Sequence, residues 1–290
     1  MLLETNKKKL FSTFFKIAIS VFLLYLVFTK ISFTEVWSSI KTVNLFYLFL
    51  AVLFFIISQW VSARRLLLFL KEKNFNLSKK SNNILYVIGM FYNFFIPGGI
   101  GGDAYKVFAL NKKFKWPVKS LSGIIFIDRF MGLTAIGILV IILGYDIFVK
   151  LNLLWLSPIL LISGVLFSVL FVNKVFPSFK NIYFKTLLIS ILIQILQVIS
   201  VVFIILSIGH QPLNLISYVV IFLISSVLSI FSFSGIGVRE YVFFEASKLL
   251  GTDSSTAVSI GVLFSIITAG VSLFGIVYHF KDSEKYLEEE

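Results

Sequence analysis

The chain contains no cysteine, which excludes disulfides, thiolate chemistry and cysteine-ligated metals. It has only two histidines, His210 and His279, which lie far apart with no ligand-like spacing around either. Without a cysteine, a histidine pair or a metal cluster, few of the usual catalytic groups are left. We therefore expect no catalytic residues, no metal site and no cofactor.

Charged residues are also scarce, at 14% of the chain, whereas 58% of the residues are hydrophobic and the mean hydropathy is +0.98. Runs of about twenty apolar residues are long enough to cross the roughly 30 Å hydrocarbon core of a bilayer as helices. The sequence therefore predicts an all-α, polytopic integral membrane protein. Six full spans are predicted, at 10–28, 43–63, 121–144, 153–172, 186–208 and 257–280.

The net charge of +12 does not indicate nucleic-acid binding, because most Lys and Arg residues cluster between apolar runs. This distribution is typical of cytoplasmic loops, which face anionic lipid headgroups. The run Lys7-Lys8-Lys9 precedes an apolar stretch that is long and lacks a cleavage site, so we interpret 10–28 as a membrane helix and not as a signal peptide. We expect a multi-pass protein of a prokaryotic plasma membrane, with both termini cytoplasmic.

Two glycine-rich breaks interrupt shorter apolar stretches, one at 96–103 and the other at 232–240. Basic residues flank the first region on both sides, and a single span cannot have both ends on one side of the membrane. We therefore predict a re-entrant hairpin at about 84–110. A second hairpin at about 215–250 follows from matching spacing, because each break precedes the next full span by nearly the same distance. The alternative is that 215–233 is an ordinary span, since nineteen residues are enough.

This order predicts two membrane repeats, 1–150 and 151–290, that together form one transmembrane domain. Each repeat has three full spans and one hairpin with a glycine-rich tip. Because three spans reverse the direction of the chain, the second repeat must be inverted, and the two tips should meet near the midplane.

Charged residues near the breaks are the binding candidates, because a charge at membrane depth costs about 2.5–3.5 kcal/mol on insertion scales. A planar guanidinium group binds a phosphate with two parallel hydrogen bonds, so we assign phosphate binding to Arg129 and Arg239. Glu240 could carry a proton if transport is coupled. The alternative is structural pairing of Asp103, Asp128 and Glu245, for instance of Asp128 with Arg239. The candidate substrate-binding residues are Asn93, Pro97, Gly98, Gly99, Gly101, Gly102, Asp103, Asp128, Arg129, Gly235, Gly237, Arg239 and Glu240.

Three short motifs give the chain a family resemblance: Asn93 with Pro97-Gly98-Gly99 and Gly101-Gly102-Asp103, then Asp128-Arg129 with Gly132, then Gly235 and Gly237 before Arg239-Glu240. In this order and spacing they resemble the lysylphosphatidylglycerol synthase transmembrane region. The resemblance implies movement of a charged phospholipid between leaflets, or handling of polyprenyl-linked or glycolipid carriers. Only about ten residues follow the last predicted span, so we expect a stand-alone member without the aminoacyltransferase domain of fused relatives.

The leading hypothesis is a lipid flippase that moves a phosphate-bearing lipid, such as an anionic or aminoacylated phospholipid or a polyprenyl phosphate carrier. Two alternatives remain. One is a membrane enzyme acting on a lipid phosphate, and the other is a non-transporting partner subunit of a lipid-modifying synthase or glycosyltransferase. The expected partners are membrane lipids with phosphate headgroups, together with a lipid-modifying enzyme in the last case.

Overall fold

The computed structural model describes Tyr25 and residues 33–95, 101–150, 152–209, 215–229, 237–279 and 287–290. The helices of these residues are α1 (Phe33–Lys41), α2 (Leu45–Glu72), α3 (Lys79–Phe95), α4 (Gly101–Phe114), α5 (Val118–Leu143), α6 (Tyr145–Lys150), α7 (Leu156–Val175), α8 (Tyr183–Ser207), α9 (Leu215–Leu228), α10 (Val238–Leu250), α11 (Ser254–Leu273) and α12 (Ile276–His279). A 3₁₀ turn, Pro177–Ile182, joins α7 to α8.

Five helical segments in the described part of the chain are long and apolar enough to cross a membrane: Leu45–Glu72, Val118–Leu143, Leu156–Val175, Pro177–Ser207 and Ser254–Tyr278. They confirm five of the six predicted spans and the all-α, multi-pass membrane class. The predicted span at 10–28 lies outside the described residues. Large apolar side chains such as Ile162 and Phe167 on α7 are 67% and 63% exposed, as expected for surfaces that face lipid.

Helix α2 is longer than the sequence predicted, because it continues beyond residue 63 to Glu72. Asn44 caps its start by accepting a hydrogen bond from the Phe46 amide at 3.0 Å. Its later turns bury Arg65 beside Leu66 and Leu70. The helix therefore carries Arg65, one of the basic residues before the first break, into the bundle.

Helices α3 and α4 flank the first glycine-rich break and pack directly against each other. A Cβ atom at Gly102 would lie only 1.9 Å from the carbonyl oxygen of Gly89, so no side chain fits at this crossing. The rings of Tyr92 and Tyr105 stack at 4.4 Å on the same pair of helices. The two helices therefore contact each other closely along this crossing.

Helices α9 and α10 flank the second break in a similar arrangement. Helix α9 has 14 residues in the described structure, which is about 21 Å of helix and less than a hydrocarbon core requires. Its Ile221, Phe222 and Leu223 have no exposed surface, and the Phe222 ring packs on Phe264 of α11 at 4.7 Å. This helix is thus an internal element of the bundle. The re-entrant course of both pairs stays a prediction.

The described loops gather at two ends of the bundle. At one end, Lys73 donates to Ser178 at 2.7 Å, and the rings of Phe75 and Trp116 stack at 4.5 Å. Leu287 is buried at the same end, where the backbone of Glu288 accepts a hydrogen bond from Ser78. The first two contacts join the α2–α3 loop to the 3₁₀ turn and to the α4–α5 loop.

At the other end of the bundle, the Asn44 amide donates to the carbonyl of Ser207 at 2.7 Å. The Tyr218 hydroxyl donates to the carbonyl of Asp253 at 3.4 Å, which joins the start of α9 to the α10–α11 loop. Ile40 of α1 packs against Phe244 of α10. The start of α3 and the end of α4 therefore lie at the first end, whereas the start of α9 and the end of α10 lie at the second.

Candidate functional site: a cationic cavity between the helix pairs

A cavity of about 490 Å³ opens inside the bundle, between the two helix pairs and the spans around them. Helices α2, α3, α4, α5, α8, α9, α10 and α11 all contribute to its wall. The charged residues that line it in the described structure are Arg65, Asp103, Lys106, Asp128, Arg129 and Arg239. Four cations thus face two carboxylates, and cations remain in excess when the Glu240 carboxylate, which is joined to Arg239 through Ser265, is counted with them.

Asp103, in the first turn of α4, connects the first helix pair to α5. Its Oδ2 accepts a hydrogen bond from Nε of Arg129 at 2.6 Å, and its Oδ1 lies 3.6 Å from Nζ of Lys106. Lys106 is almost completely buried, with Nζ 4.4 Å from the centre of the Tyr86 ring. The Arg129 side chain remains 46% exposed, so it is both paired and open to the cavity.

Asp128 pairs with Arg65 and not with Arg239, which corrects the pairing considered from the sequence. Nε of Arg65 donates to Oδ1 of Asp128 at 2.8 Å, and its Nη1 donates to Ser190 at 2.7 Å. Both side chains of the pair are largely buried. Asp128 therefore has a structural partner on α2. Glu245, the third acidic candidate for pairing, forms an exposed pair with Lys248 at 3.0 Å.

Arg239 lies in the first turn of α10 and is 6% exposed. Its Nη1 donates to Ser265 at 3.0 Å, and its guanidinium carbon lies 4.9 Å from the centre of the Phe264 ring. Its Nε is buried with no hydrogen-bond partner among the residues that the structure describes. A buried, unpartnered guanidinium N–H is costly unless a ligand accepts from it.

Glu240 holds the start of α10 in place. Its Oε2 accepts from the Gly237 amide at 2.6 Å, and its Oε1 accepts from the Ser265 hydroxyl at 2.9 Å. Gly237 has a φ of 83°, a backbone conformation that glycine adopts without strain. The Gly237 amide is therefore bonded to the Glu240 carboxylate and is not free to bind an anion.

Asn93 has the corresponding role at the first break, where its Oδ1 accepts from the Gly102 amide at 2.9 Å. Asn93 also lines the cavity, and Gly101 begins α4. The remaining candidates Pro97, Gly98, Gly99 and Gly235 lie outside the described residues. The structure thus brings Asn93, Asp103, Asp128, Arg129 and Arg239 to one cavity, with Gly102, Gly237 and Glu240 supporting its wall.

Sequence reasoning missed Arg65, Lys106 and Ser265 as parts of the site. Arg65 and Lys106 border lysine-rich loops, so their charges were attributed to the cytoplasmic flanks. Gln194 was also missed, although its buried Oε1 lacks a partner in the described part of the chain. The available signal was helical spacing, because Arg65 stands three residues after Ser62 and therefore on the same face of the helix.

Fold and site together define a polytopic α-helical membrane protein with a buried cationic cavity. The family model of the lysylphosphatidylglycerol synthase TM region matches residues 13–275. The chain therefore belongs to this family, as its glycine-rich motifs indicated. No curated protein matches the sequence at a significant level.

Proposed function

We propose that the protein is a lipid flippase whose central cavity takes the headgroup of a phosphate-bearing lipid from one leaflet to the other. The main observation that supports this proposal is the excess of cations over carboxylates in a cavity that is lined by membrane spans. Charge at membrane depth is rarely kept without a partner or a task, and an anionic ligand would supply the missing partner. Membership in a family associated with lipid modification and flipping supports this function.

Arg239 is the first phosphate ligand in this proposal, because its Nε is buried and unpartnered among the described residues. Arg129 is the second, since its guanidinium is bonded to Asp103 yet half exposed. A phosphate that reaches Arg129 would compete with Asp103, while Lys106 would keep that carboxylate paired. The headgroup would thus exchange one anion for another at Arg129 without leaving a charge uncompensated.

The two helix pairs act in this proposal as re-entrant hairpins of inverted repeats. The contacts at the two ends of the bundle support this, because α3–α4 opens toward the end that holds the α2–α3 loop, and α9–α10 opens toward the opposite end. Their inner ends carry Asp103 and Arg239 to the same cavity. Rocking of the two repeats around this cavity would give alternating access.

The test is leaflet-to-leaflet movement of labelled anionic phospholipid and polyprenyl phosphate in liposomes that contain the purified protein. Loss of one hydrogen bond to a charged group is worth about 1.5–3 kcal/mol, so Arg239→Ala should slow movement about 10- to 100-fold. Arg239→Lys should recover the rate of lipid movement only in part, because lysine keeps the charge but cannot form the two parallel hydrogen bonds of a guanidinium group. Lys248→Ala is the matched control, since this residue lies on the same helix, is exposed and does not line the cavity.

Equal rates for wild type and Arg239→Ala would remove this arginine from the mechanism. Absence of movement for both lipids in the wild type would contradict the flippase proposal itself. The rates of movement of the two lipids also show which of them is the better substrate class.

A further inference from the structure

A second, smaller cavity of about 250 Å³ lies beside the central one, between α2, α3 and the end of α11. We call it the side groove. Its wall is mainly apolar and includes Ile56, Trp60, Val87, Val271 and Phe274. The central cavity carries the charged residues, whereas the described lining of the side groove has no charged side chain; its polar groups are the amides of Gln59 and Asn83, the phenol of Tyr86 and the indole N–H of Trp60.

The outer rim of the side groove faces the region where lipid surrounds the bundle. Ile56 is 43% exposed, Trp60 is 53% exposed and Phe274 is 67% exposed. All three are apolar and belong to spans long enough to cross the membrane or to their ends. Large exposed apolar side chains on such helices contact hydrocarbon chains and not water.

The inner wall of the side groove is also the wall of the central cavity. Gln59, Tyr86 and Met90 line both spaces, so nothing thicker than these side chains separates them. Gln59 is a flexible amide and Met90 an unbranched thioether, which adapts to neighbours of different shape. The two cavities therefore adjoin, with a single layer of side chains between the lipid-facing groove and the charged site.

The end of the groove near Phe274 is closed by a close backbone contact. A Cβ atom at Gly275 would lie 2.5 Å from the carbonyl oxygen of Val87, so α3 and the end of α11 touch here. At the outer rim, the guanidinium of Arg64 lies 4.8 Å from the centre of the Trp60 ring. A positive charge thus stands at the mouth of an apolar groove, an arrangement suited to a lipid with a phosphate near its chains.

We propose that the side groove holds a hydrocarbon chain of the same lipid whose phosphate group occupies the central cavity. This inference rests on the proposed function, because the groove is assigned to the lipid that the cavity binds. The chain remains in an apolar environment while its headgroup is in the polar one, so neither part of the molecule has to cross a region of the wrong polarity.

A photo-crosslinking experiment tests this occupancy without requiring transport. The probe is an anionic phospholipid with a diazirine in one acyl chain, added to vesicles that contain the protein, and the control probe is a diacylglycerol with the same chain and no phosphate. We expect the phospholipid to label residues 56–63 and 83–90 about tenfold more than the diacylglycerol does, and Arg239→Ala to remove this difference. Equal labelling by both probes, or labelling that Arg239→Ala leaves unchanged, would show bulk lipid in the groove and overturn the inference.

Two substitutions that fill the groove give an independent readout. Val87→Trp narrows its floor, and Ile56→Trp narrows its mouth at a position that is already partly exposed. Each should lower movement of a long-chain phospholipid about tenfold, because the chain loses its apolar contacts, while binding of chainless glycerol phosphate to the central cavity is retained. Ile162→Trp on the lipid-facing surface of α7 is the matched control.

The outcomes separate the groove from the flippase proposal. Movement at wild-type rate in both groove variants would overturn the groove and leave the flippase proposal intact. Labelling of the groove that depends on Arg239, in a wild-type protein that moves no lipid, would support the groove as a binding site and contradict the flippase proposal.

Discussion

At the scale of single residues, the Arg65–Asp128 pair is an example of buried charges that stabilise the fold and do not bind the ligand. Both side chains are largely buried and joined at 2.8 Å, and removing one partner of such a pair costs about 3–5 kcal/mol because the other charge stays buried alone. We expect Asp128→Asn to lower the thermal unfolding midpoint of the detergent-solubilised protein strongly.

The double variant Arg65→Met/Asp128→Met supplies the control for this prediction. Because it removes both charges together, its loss of stability should be smaller than the sum of the two single losses. Wild-type stability of Asp128→Asn combined with lost lipid movement would contradict the structural role and place Asp128 among the binding residues.

Ser265 connects the two charges at the start of α10, since it donates to Glu240 and accepts from Arg239. We expect Ser265→Ala to weaken binding of anionic phospholipid about tenfold, because Arg239 loses the bond that orients it. Ser259→Ala is the matched control on the same helix, because its hydroxyl bonds the Ser255 carbonyl and it does not line the cavity. Binding to vesicles of defined composition is the measurement, and an unchanged affinity in Ser265→Ala would argue against this positioning role.

The sequence was most informative about residues beside an unusual local pattern. Asp103 and Arg239 lie in the glycine-rich breaks, Arg129 interrupts the apolar stretch 121–144, and all three line the cavity. Arg65 and Lys106 were missed because they border lysine-rich loops, where a positive side chain is expected to be exposed to water. Their carboxylate partners are 63 and 3 residues away, so only the helix packing shows that Arg65 is an internal residue.

At the scale of helices, the crossing of α3 and α4 depends on the absence of a side chain at Gly102. Gly102→Ala would place a Cβ 1.9 Å from a backbone oxygen of Gly89, which neither helix can avoid without moving. We expect a loss of about 1–3 kcal/mol, as for overpacked cores, together with lower lipid movement.

Gly137→Ala on α5 is the matched control, since nothing lies within 4 Å of the added atom. This variant should be as stable as the wild type, or slightly more so because alanine favours helix. Equal unfolding midpoints for the two alanine variants would contradict the close packing of α3 and α4.

The full spans could be predicted because length and hydrophobicity alone define them, and the structure confirms those within its described residues. The end of α2 could not be predicted in this way, because Arg64 and Arg65 interrupt the apolar run without ending the helix. The helix continues through them since Arg65 finds Asp128 and Ser190 inside the bundle.

At the scale of the whole molecule, the inverted-repeat proposal predicts that the two helix pairs open to opposite sides of the membrane. Because the chain has no cysteine, Lys112→Cys in the last turn of α4 and Thr252→Cys after α10 each provide one labelling site. With an impermeant maleimide, we expect Lys112→Cys to react only from the cytoplasmic side and Thr252→Cys only from outside. Reaction of both from the same side would contradict the inverted arrangement.

The most direct test of the central claim is whether the lipid passes through the cationic cavity. Thr268→Cys places a single thiol on the cavity wall, and Lys150→Cys places one on an exposed surface as a control. Modification of Thr268→Cys with a bulky methanethiosulfonate should stop lipid movement in liposomes, and saturating anionic phospholipid should slow the modification. Modification of Lys150→Cys should leave the rate of lipid movement unchanged, and anionic phospholipid should not slow that modification. Complete modification of Thr268→Cys with movement at the unmodified rate would contradict passage through this cavity.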